Sequence, residues 1–279
     1  MRLFAYLDGT TPMMGVDVDG RVAPLTPVRE FYADVPAGLE QATAISADME
    51  WATPATALTP AVPVPETAKI VCAAINYQMH ADETGTEVPE LPNFFARWYA
   101  TLVPDGTPIP VPDDEPGLDW EVELAVVIGA SMSSVTPSEA SAGILGYTVF
   151  NDVSARRHQR ATKQWANGKN ADASGPIGSA IVTADAIDPD SLALGTRVNG
   201  AVMQDGRTSD MLIKIPDLIA YATRTITLRP GDVIATGTPD GVGFRRDPPV
   251  LLHPGDTVEV HVEGVGSVRN PLVDASHRR

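Results

Sequence analysis

Cysteine is nearly absent. Cys72 stands alone among 279 residues, which excludes a disulfide framework and any cysteine-based metal cluster. Histidine is scarce too, and His253, His261 and His277 have no spaced partners that suggest zinc, so they read as structural or exposed. No apolar run approaches the roughly 18 residues needed to cross a bilayer. The start, Met1-Arg2-Leu3-Phe4-Ala5-Tyr6-Leu7-Asp8, meets an acid too early for a secretory h-region. A cytoplasmic protein is therefore expected. Basic residues are outnumbered, 20 against 36 acids, and the formal charge of -16 argues against nucleic acid and anionic membranes as partners. An anionic substrate would need a locally positive site, so the placement of Lys and Arg matters. What the chain has in plenty is turn-forming residues, 25 prolines and 23 glycines, which favour short strands over long helices. The length allows one large domain or a large and a small one.

The stretch Leu118-Asp119-Trp120-Glu121-Val122-Glu123-Leu124-Ala125-Val126-Val127-Ile128-Gly129 reads as a strand, rich in Val and Ile and closed by glycine. Side chains alternate faces along a strand, so Glu121 and Glu123 share one side. Two readings fit: an edge strand whose acids face water, and paired carboxylates around a cation. A second apolar run, Gly146 to Asp152, ends in a third acid where a strand would stop, and this match shifts the balance towards metal. Three carboxylates without Cys or His describe an all-oxygen site for a hard cation, Mg²⁺ before Ca²⁺ or Mn²⁺.

Before that strand, residues 1–62 read as a small accessory domain. It carries a hairpin around Asp19-Gly20 and a partly helical stretch from Pro27 to Met49, interrupted at Pro36. A Pro/Ala/Thr-rich segment follows, and 67–279 reads as the main domain. Lys69 to Ile75 is a buried strand, and just beyond it His80 and Glu83 are i,i+3 neighbours on a helical turn. They fit either an incidental exposed pair or an imidazole oriented by a carboxylate as general base. Thr84 to Pro116 reads as a long irregular segment, a lid or a fixed loop.

Thr136-Pro137-Ser138-Glu139 is a capping box opening a helix to Leu145. Beyond Asp152, a helical stretch from Ser154 to Thr162 carries Arg156, Arg157, His158, Gln159 and Arg160, and a polar loop from Gln164 to Asp172 carries Lys169. This gathering of positive charge suits a substrate carboxylate, and equally an ordinary solvated helix. Asn199-Gly200 marks a hairpin, Gln204 to Arg207 a further turn, and Ile215 to Thr225 an amphipathic helix. Gly231 to Gly243 runs a strand into a glycine-rich loop, including Gly237 and Thr238, whose N–H groups are accessible to an oxyanion. The last strands, Thr257 to Val262 and Ser267 to Val273, are expected to close the sheet.

Five segments in order resemble the fumarylacetoacetate hydrolase family in its bacterial single-module form. They are Asn76-Tyr77 with His80 and Glu83; Asp119-Trp120-Glu121-Val122-Glu123-Leu124; Asn151-Asp152-Val153-Ser154-Ala155-Arg156; Gln164-Trp165 with Lys169; and Thr236-Gly237-Thr238-Pro239 with Gly241-Val242-Gly243. The resemblance covers Lys69 to the C-terminus. It implies an α+β, mostly β fold, a mixed β-roll or sandwich-like sheet with a small N-terminal domain, paired as a homodimer. It also implies Mg²⁺ or Mn²⁺ (Ca²⁺ in crystals) on Glu121, Glu123 and Asp152. His80 polarised by Glu83 would be the proton carrier, Lys169 would stabilise negative charge, and Arg156, Gln159, Gly237 and Thr238 would line the substrate pocket. Arg157, Asn170-Ala171 and Arg97 depart from the usual pattern, beside the pocket rather than among the ligands.

The implied activity is metal-dependent hydrolysis of a C–C bond in a 2-oxo or 1,3-dioxo carboxylic acid of acylpyruvate or fumarylpyruvate type. The alternatives are an oxo-acid decarboxylase and a 2-hydroxyhepta-2,4-diene-1,7-dioate isomerase of aromatic catabolism. A binding homologue without activity is the reading from another class; the complete set of acids, the His-Glu pair and Lys169 argue against it.

Overall fold

The computed structural model describes residues 1–45 and 52–277. At its centre lies the strand Val122–Ile128, every residue of which is buried. Alternation lets this one strand serve two cores. Val122, Leu124, Val126 and Ile128 enter one apolar cluster, while Ala125 and Val127 enter another on the opposite face. A strand covered on both faces is apolar throughout, and Glu123 is the one departure. The regular strand is shorter than the Leu118–Gly129 expected. Glu121 precedes it, and its amide donates to the Asn151 side chain at 3.1 Å instead of to a ladder carbonyl.

A ten-stranded mixed sheet surrounds this strand. Its order is Thr53–Pro54, Arg21–Pro27, Thr11–Val18, Arg2–Asp8, Ala180–Thr183, Ile144–Asn151, Val122–Ile128, Val233–Ala235, Ile70–Ala74, Asn93–Arg97. Ile144–Asn151 runs antiparallel to the central strand, with Phe150 opposite Glu123 and Asn151 opposite Val122, so Asp152 emerges beside Glu121. Val233–Ala235 is antiparallel on the other side and Ile70–Ala74 parallel to that. The loops after three strands therefore open at the same edge as Glu121.

A second sheet has the order Ala201–Arg207, Ala193–Val198, Thr257–Val262, Gly266–Asp274, Ile109–Val111. The last two long strands thus belong to it and do not close the main sheet. Leu194, Val260 and Val262 pack into the same cluster as Leu124 and Val126, giving the sandwich-like, mostly β architecture. At the N-terminal side, Arg2–Asp8 pairs with Ala180–Thr183, and Leu3, Met14 and Phe31 share a cluster with Ile70 and Val127.

Both hairpins form at their Asp-Gly and Asn-Gly pairs, with φ of 52° and 78° at Asp19 and Gly20 and 50° and 84° at Asn199 and Gly200. Positive φ at both turn residues matches the right-handed twist of the flanking strands. Gln204 to Arg207, expected as a turn, continues the strand Ala201–Arg207 opposite Ala193–Val198, because cross-strand pairing overrides its polar composition. The Thr136 capping box is present, but the helix stops at Ala142, since Ile144 is already in the sheet. The early helical stretch divides at Asp34 into Val28–Ala33 and Val35–Ile45. Pro36 sits in the first turn, where a missing N–H costs nothing, so it does not interrupt. The part of that stretch beyond residue 45 lies outside the described residues, as does the side chain of His277. Residues 84–116 are more regular than expected, containing the strands Asn93–Arg97, Leu102–Val103 and Ile109–Val111. No helix among the described residues is long and apolar enough to cross a membrane.

Candidate metal centre and substrate pocket

Glu121, Glu123 and Asp152 converge, each offering an oxygen within 4.8 Å of the others, and all three are buried. The edge-strand reading is thereby excluded. Three cations surround these acids. Lys169 donates to Glu121 Oε2 and to Asp152 Oδ2, both at 2.6 Å. Arg156 donates to Glu121 Oε1 at 2.6 Å and to Asp119 Oδ2 at 2.7 Å. Arg97 donates through Nε to Asp152 Oδ1 at 3.0 Å and also engages the Ser174 hydroxyl at 2.7 Å.

Glu123 is the exception. Among the described residues its carboxylate meets no cation, and its partner is the Gly237 N–H at 2.8 Å. Four buried carboxylates (Asp119, Glu121, Glu123, Asp152) thus face three buried cations (Arg97, Arg156, Lys169), so with all four ionised one has no counter-charge. Burial, with Asp152 and Glu121 adding like charge, pushes the Glu123 carboxyl well above its ordinary range. Burial would raise Glu121 too, but Lys169 and Arg156 more than reverse this and hold it below its ordinary range. Burial opposes the charge on Lys169, yet Asp152 and Glu121 prevail and its affinity for the proton rises, so it remains an ammonium. A divalent cation at the three acids would more than offset that remaining charge, and the all-oxygen donor set suits a hard ion. The triad fits such an ion.

His80 lies on the helix Gln78–Thr84 that follows the strand Ile70–Ala74. Its Nδ1 is 2.8 Å from Glu83 Oε1, and Glu83 Oε2 accepts the Gly241 N–H at 2.9 Å. A carboxylate engaged at both oxygens only accepts, so Nδ1 carries a proton and Nε2 is the nitrogen left to exchange one with a substrate. His80 is 6% exposed, which rules out the incidental surface pair.

The loop after Val233–Ala235 behaves differently from expectation. Its glycine N–H groups are taken by protein carboxylates: Gly237 by Glu123, Gly241 by Glu83 and Gly243 by Asp119 at 2.7 Å. The loop orients the acids and offers these amides to no ligand. Gly237 requires its residue type, with φ of +93° and the Asn76 side chain 2.9 Å from where a Cβ would stand. Thr238 is held by Gln204, whose amide also accepts the Val122 N–H at 3.0 Å and so ties both sheets to the site.

The basic stretch is not a solvated surface helix. Arg156 and Gln159 on the helix Arg156–Ala161 are buried, and Arg156 Nη1 donates to Gln159 Oε1 at 2.9 Å. The polar loop that follows contains a short helix, Ala166–Lys169, which carries Lys169 inward. His80, Glu121, Glu123, Arg156, Gln159, Lys169 and Thr238 line one cavity of about 200 Å³.

Asp119 was not singled out from the sequence, although it begins the same Asp-Trp-Glu motif. It joins Arg156 to the Gly243 amide and so fixes one wall. Arg97, read there as lying beside the pocket, binds a triad acid directly. Phe95, on the strand Asn93–Arg97, stands under the Lys169 ammonium at 5.1 Å and packs edge-on against Trp165. Its segment reads as irregular in sequence, which hides it.

Comparison with known proteins agrees with this geometry. The model of the fumarylacetoacetate (FAA) hydrolase C-terminal family matches residues 69–273. A human mitochondrial protein named oxaloacetate tautomerase FAHD2A is 43% identical over 214 residues, 76% of this chain and 68% of its own length. Among solved structures, a fumarylacetoacetate hydrolase from Exiguobacterium antarcticum superposes with a TM-score of 0.82 at 32% identity, covering 98% of this chain and 99% of the other. A 2-hydroxyhepta-2,4-diene-1,7-dioate isomerase from Mycobacterium marinum gives 0.78 at 30% identity, covering 98% of each. The matched span runs from the strand before His80 to the last strand of the second sheet, and the chain belongs to the fumarylacetoacetate hydrolase family.

Proposed function

We propose that this protein is a divalent-metal-dependent enzyme acting on small 2-oxo carboxylic acids, and that it interconverts their keto and enol forms. One observation carries the reading. A single cavity is lined by Glu121 and Glu123, on which the buried Asp152 converges, by an ammonium at Lys169, and by an imidazole at His80 whose Nδ1 is engaged by Glu83. Glu121, Glu123 and Asp152 would hold the cation (Mg²⁺ first, Mn²⁺ as the alternative), which when bound would supply Lewis-acid polarisation of the oxo oxygen. His80 Nε2 takes a proton from the carbon beside the oxo group; the C–H electrons form the C=C bond, and the C=O electrons move onto oxygen. Lys169 stays an ammonium and stabilises that oxygen as charge develops, and the proton taken by His80 is returned to the oxygen to complete the enol. The reverse direction uses the same groups. Arg156 and Gln159 orient the acid's carboxylate.

Tautomerisation needs only a base, an acid and oxyanion stabilisation, whereas hydrolysis also needs a positioned water. The relative named for oxaloacetate tautomerisation and the structure named as an isomerase support the first. Hydrolytic C–C cleavage, the expectation from sequence, is kept as a second reading because a similar structure is named a hydrolase. The two separate on substrate and product. With Mg²⁺, the decay of enol absorbance of oxaloacetate should accelerate, and acylpyruvate should remain intact by product mass. Rapid release of pyruvate from acylpyruvate with no effect on oxaloacetate would reverse the choice. Glu121→Ala should weaken metal binding; unchanged affinity would remove the site as assigned.

A further inference from the structure

The helix Arg156–Ala161 presents two different faces. Arg157 and His158 turn towards residue 114: the Arg157 guanidinium donates to the Asp114 carbonyl at 2.5 Å, and His158 pairs with the Asp114 carboxylate at 3.0 Å. Arg156, Gln159 and Arg160 stand at i, i+3 and i+4, and all three line the cavity. Along this face burial changes. Arg156 is buried against Glu121 on the cavity floor, and Arg160, one turn further along, is exposed at the mouth. One helical turn separates their backbones by about 6 Å.

Cations inside the cavity are all engaged. At the mouth Arg245 donates to the Thr84 carbonyl and lies over the Phe244 ring. Arg160 differs: among the described residues it has no hydrogen bond, ion pair or ring contact. In a chain of net charge -16, an unengaged guanidinium on the rim of an anion-binding cavity has a stated electrostatic use. The cavity, about 200 Å³, is small for a ligand pocket and suits a short-chain acid.

We propose that Arg160 is a specificity residue that receives the second carboxylate of a dicarboxylic 2-oxo acid, whose first carboxylate and oxo group sit on the cavity floor. This rests on the 2-oxo acid reading above and adds to it the residue that reads the distal charge, about one helical turn from the first.

The test uses two unreactive probes with the same head group. Oxamate carries the 2-oxo carboxylate alone, and N-oxalylglycine carries it with a distal carboxylate. Their dissociation constants are measured by calorimetry on the Mg²⁺-loaded protein and on Arg160→Gln. The parent should prefer N-oxalylglycine by about tenfold, as expected for one charge-assisted hydrogen bond near the surface. In Arg160→Gln that preference should collapse to within about threefold, and Arg160→Lys should restore part of it. A parent without preference, or a preference that survives Arg160→Gln, would overturn the assignment. If oxamate failed to bind the parent, the 2-oxo acid reading would fall, and this assignment with it. Binding of oxamate without discrimination would remove Arg160 alone.

Discussion

Glu123 is the residue on which the site's electrostatics turn. It is 1% exposed, its neighbours are acids, and one amide is its partner. Without metal, its carboxyl costs the fold stability at neutral pH, because its proton affinity is raised above that of the unfolded chain. That cost shrinks as pH falls through the raised value. Glu123→Gln should therefore melt higher than the parent in EDTA at neutral pH, with the difference narrowing on acidification, while losing the stabilisation that added metal gives the parent. A lower melting temperature in EDTA would contradict this account. His80 makes the complementary prediction. It is no triad ligand, so His80→Ala should lower turnover by about 10²-fold or more, the usual share of a general base, while metal affinity by titration stays near the parent's. Equal loss of both would place His80 in the coordination sphere.

At the scale of elements, the loop after Val233–Ala235 acts as a rigid brace for the acids. Gly237→Ala would force a side chain into positive φ and against Asn76, moving the amide that holds Glu123. It should lose metal-dependent activity as well as stability. Thr136→Ala is the control, since it removes a cap on a helix remote from the cavity. It should cost about 1 kcal/mol, read in denaturant unfolding, and leave turnover unchanged. The hairpins, the capping box and the central strand are legible as elements because their signals are local: turn residues that tolerate positive φ, an N-cap, an alternating apolar run. Asn93–Arg97 and Gln204 to Arg207 are not legible, because their strand character comes from partners distant in sequence, Ile70–Ala74 and Ala193–Val198.

For the whole molecule, a metal at the triad would be linked to the fold. A cation that binds only the native triad stabilises it by about 2.7 kcal/mol at a hundredfold excess over its dissociation constant, or about 5–10 °C in melting temperature for a chain of this size. Thermal melts across a Mn²⁺ or Mg²⁺ series should show this rise and its reversal by EDTA; a flat series would mean that the acids hold no ion. The core constrains the same region. Leu124 is fully buried between the two sheets, next to Glu123, so substitutions there should loosen triad and sandwich together.

By itself the sequence named candidates for the chemistry. Two acids at a spacing of two in an apolar strand, a third at the end of its partner strand, and a histidine three residues before a glutamate are covalent facts, readable without coordinates. Tertiary structure alone decided their electrical state. Lys169 sits 48 residues from Glu121 and Arg97 sits 55 from Asp152, and only strand pairing brings those charges within hydrogen-bond reach. Which acid would be left uncompensated, which cations would be engaged inside and which would stand free at the rim follow from that packing, since charges interact through space and not along the chain.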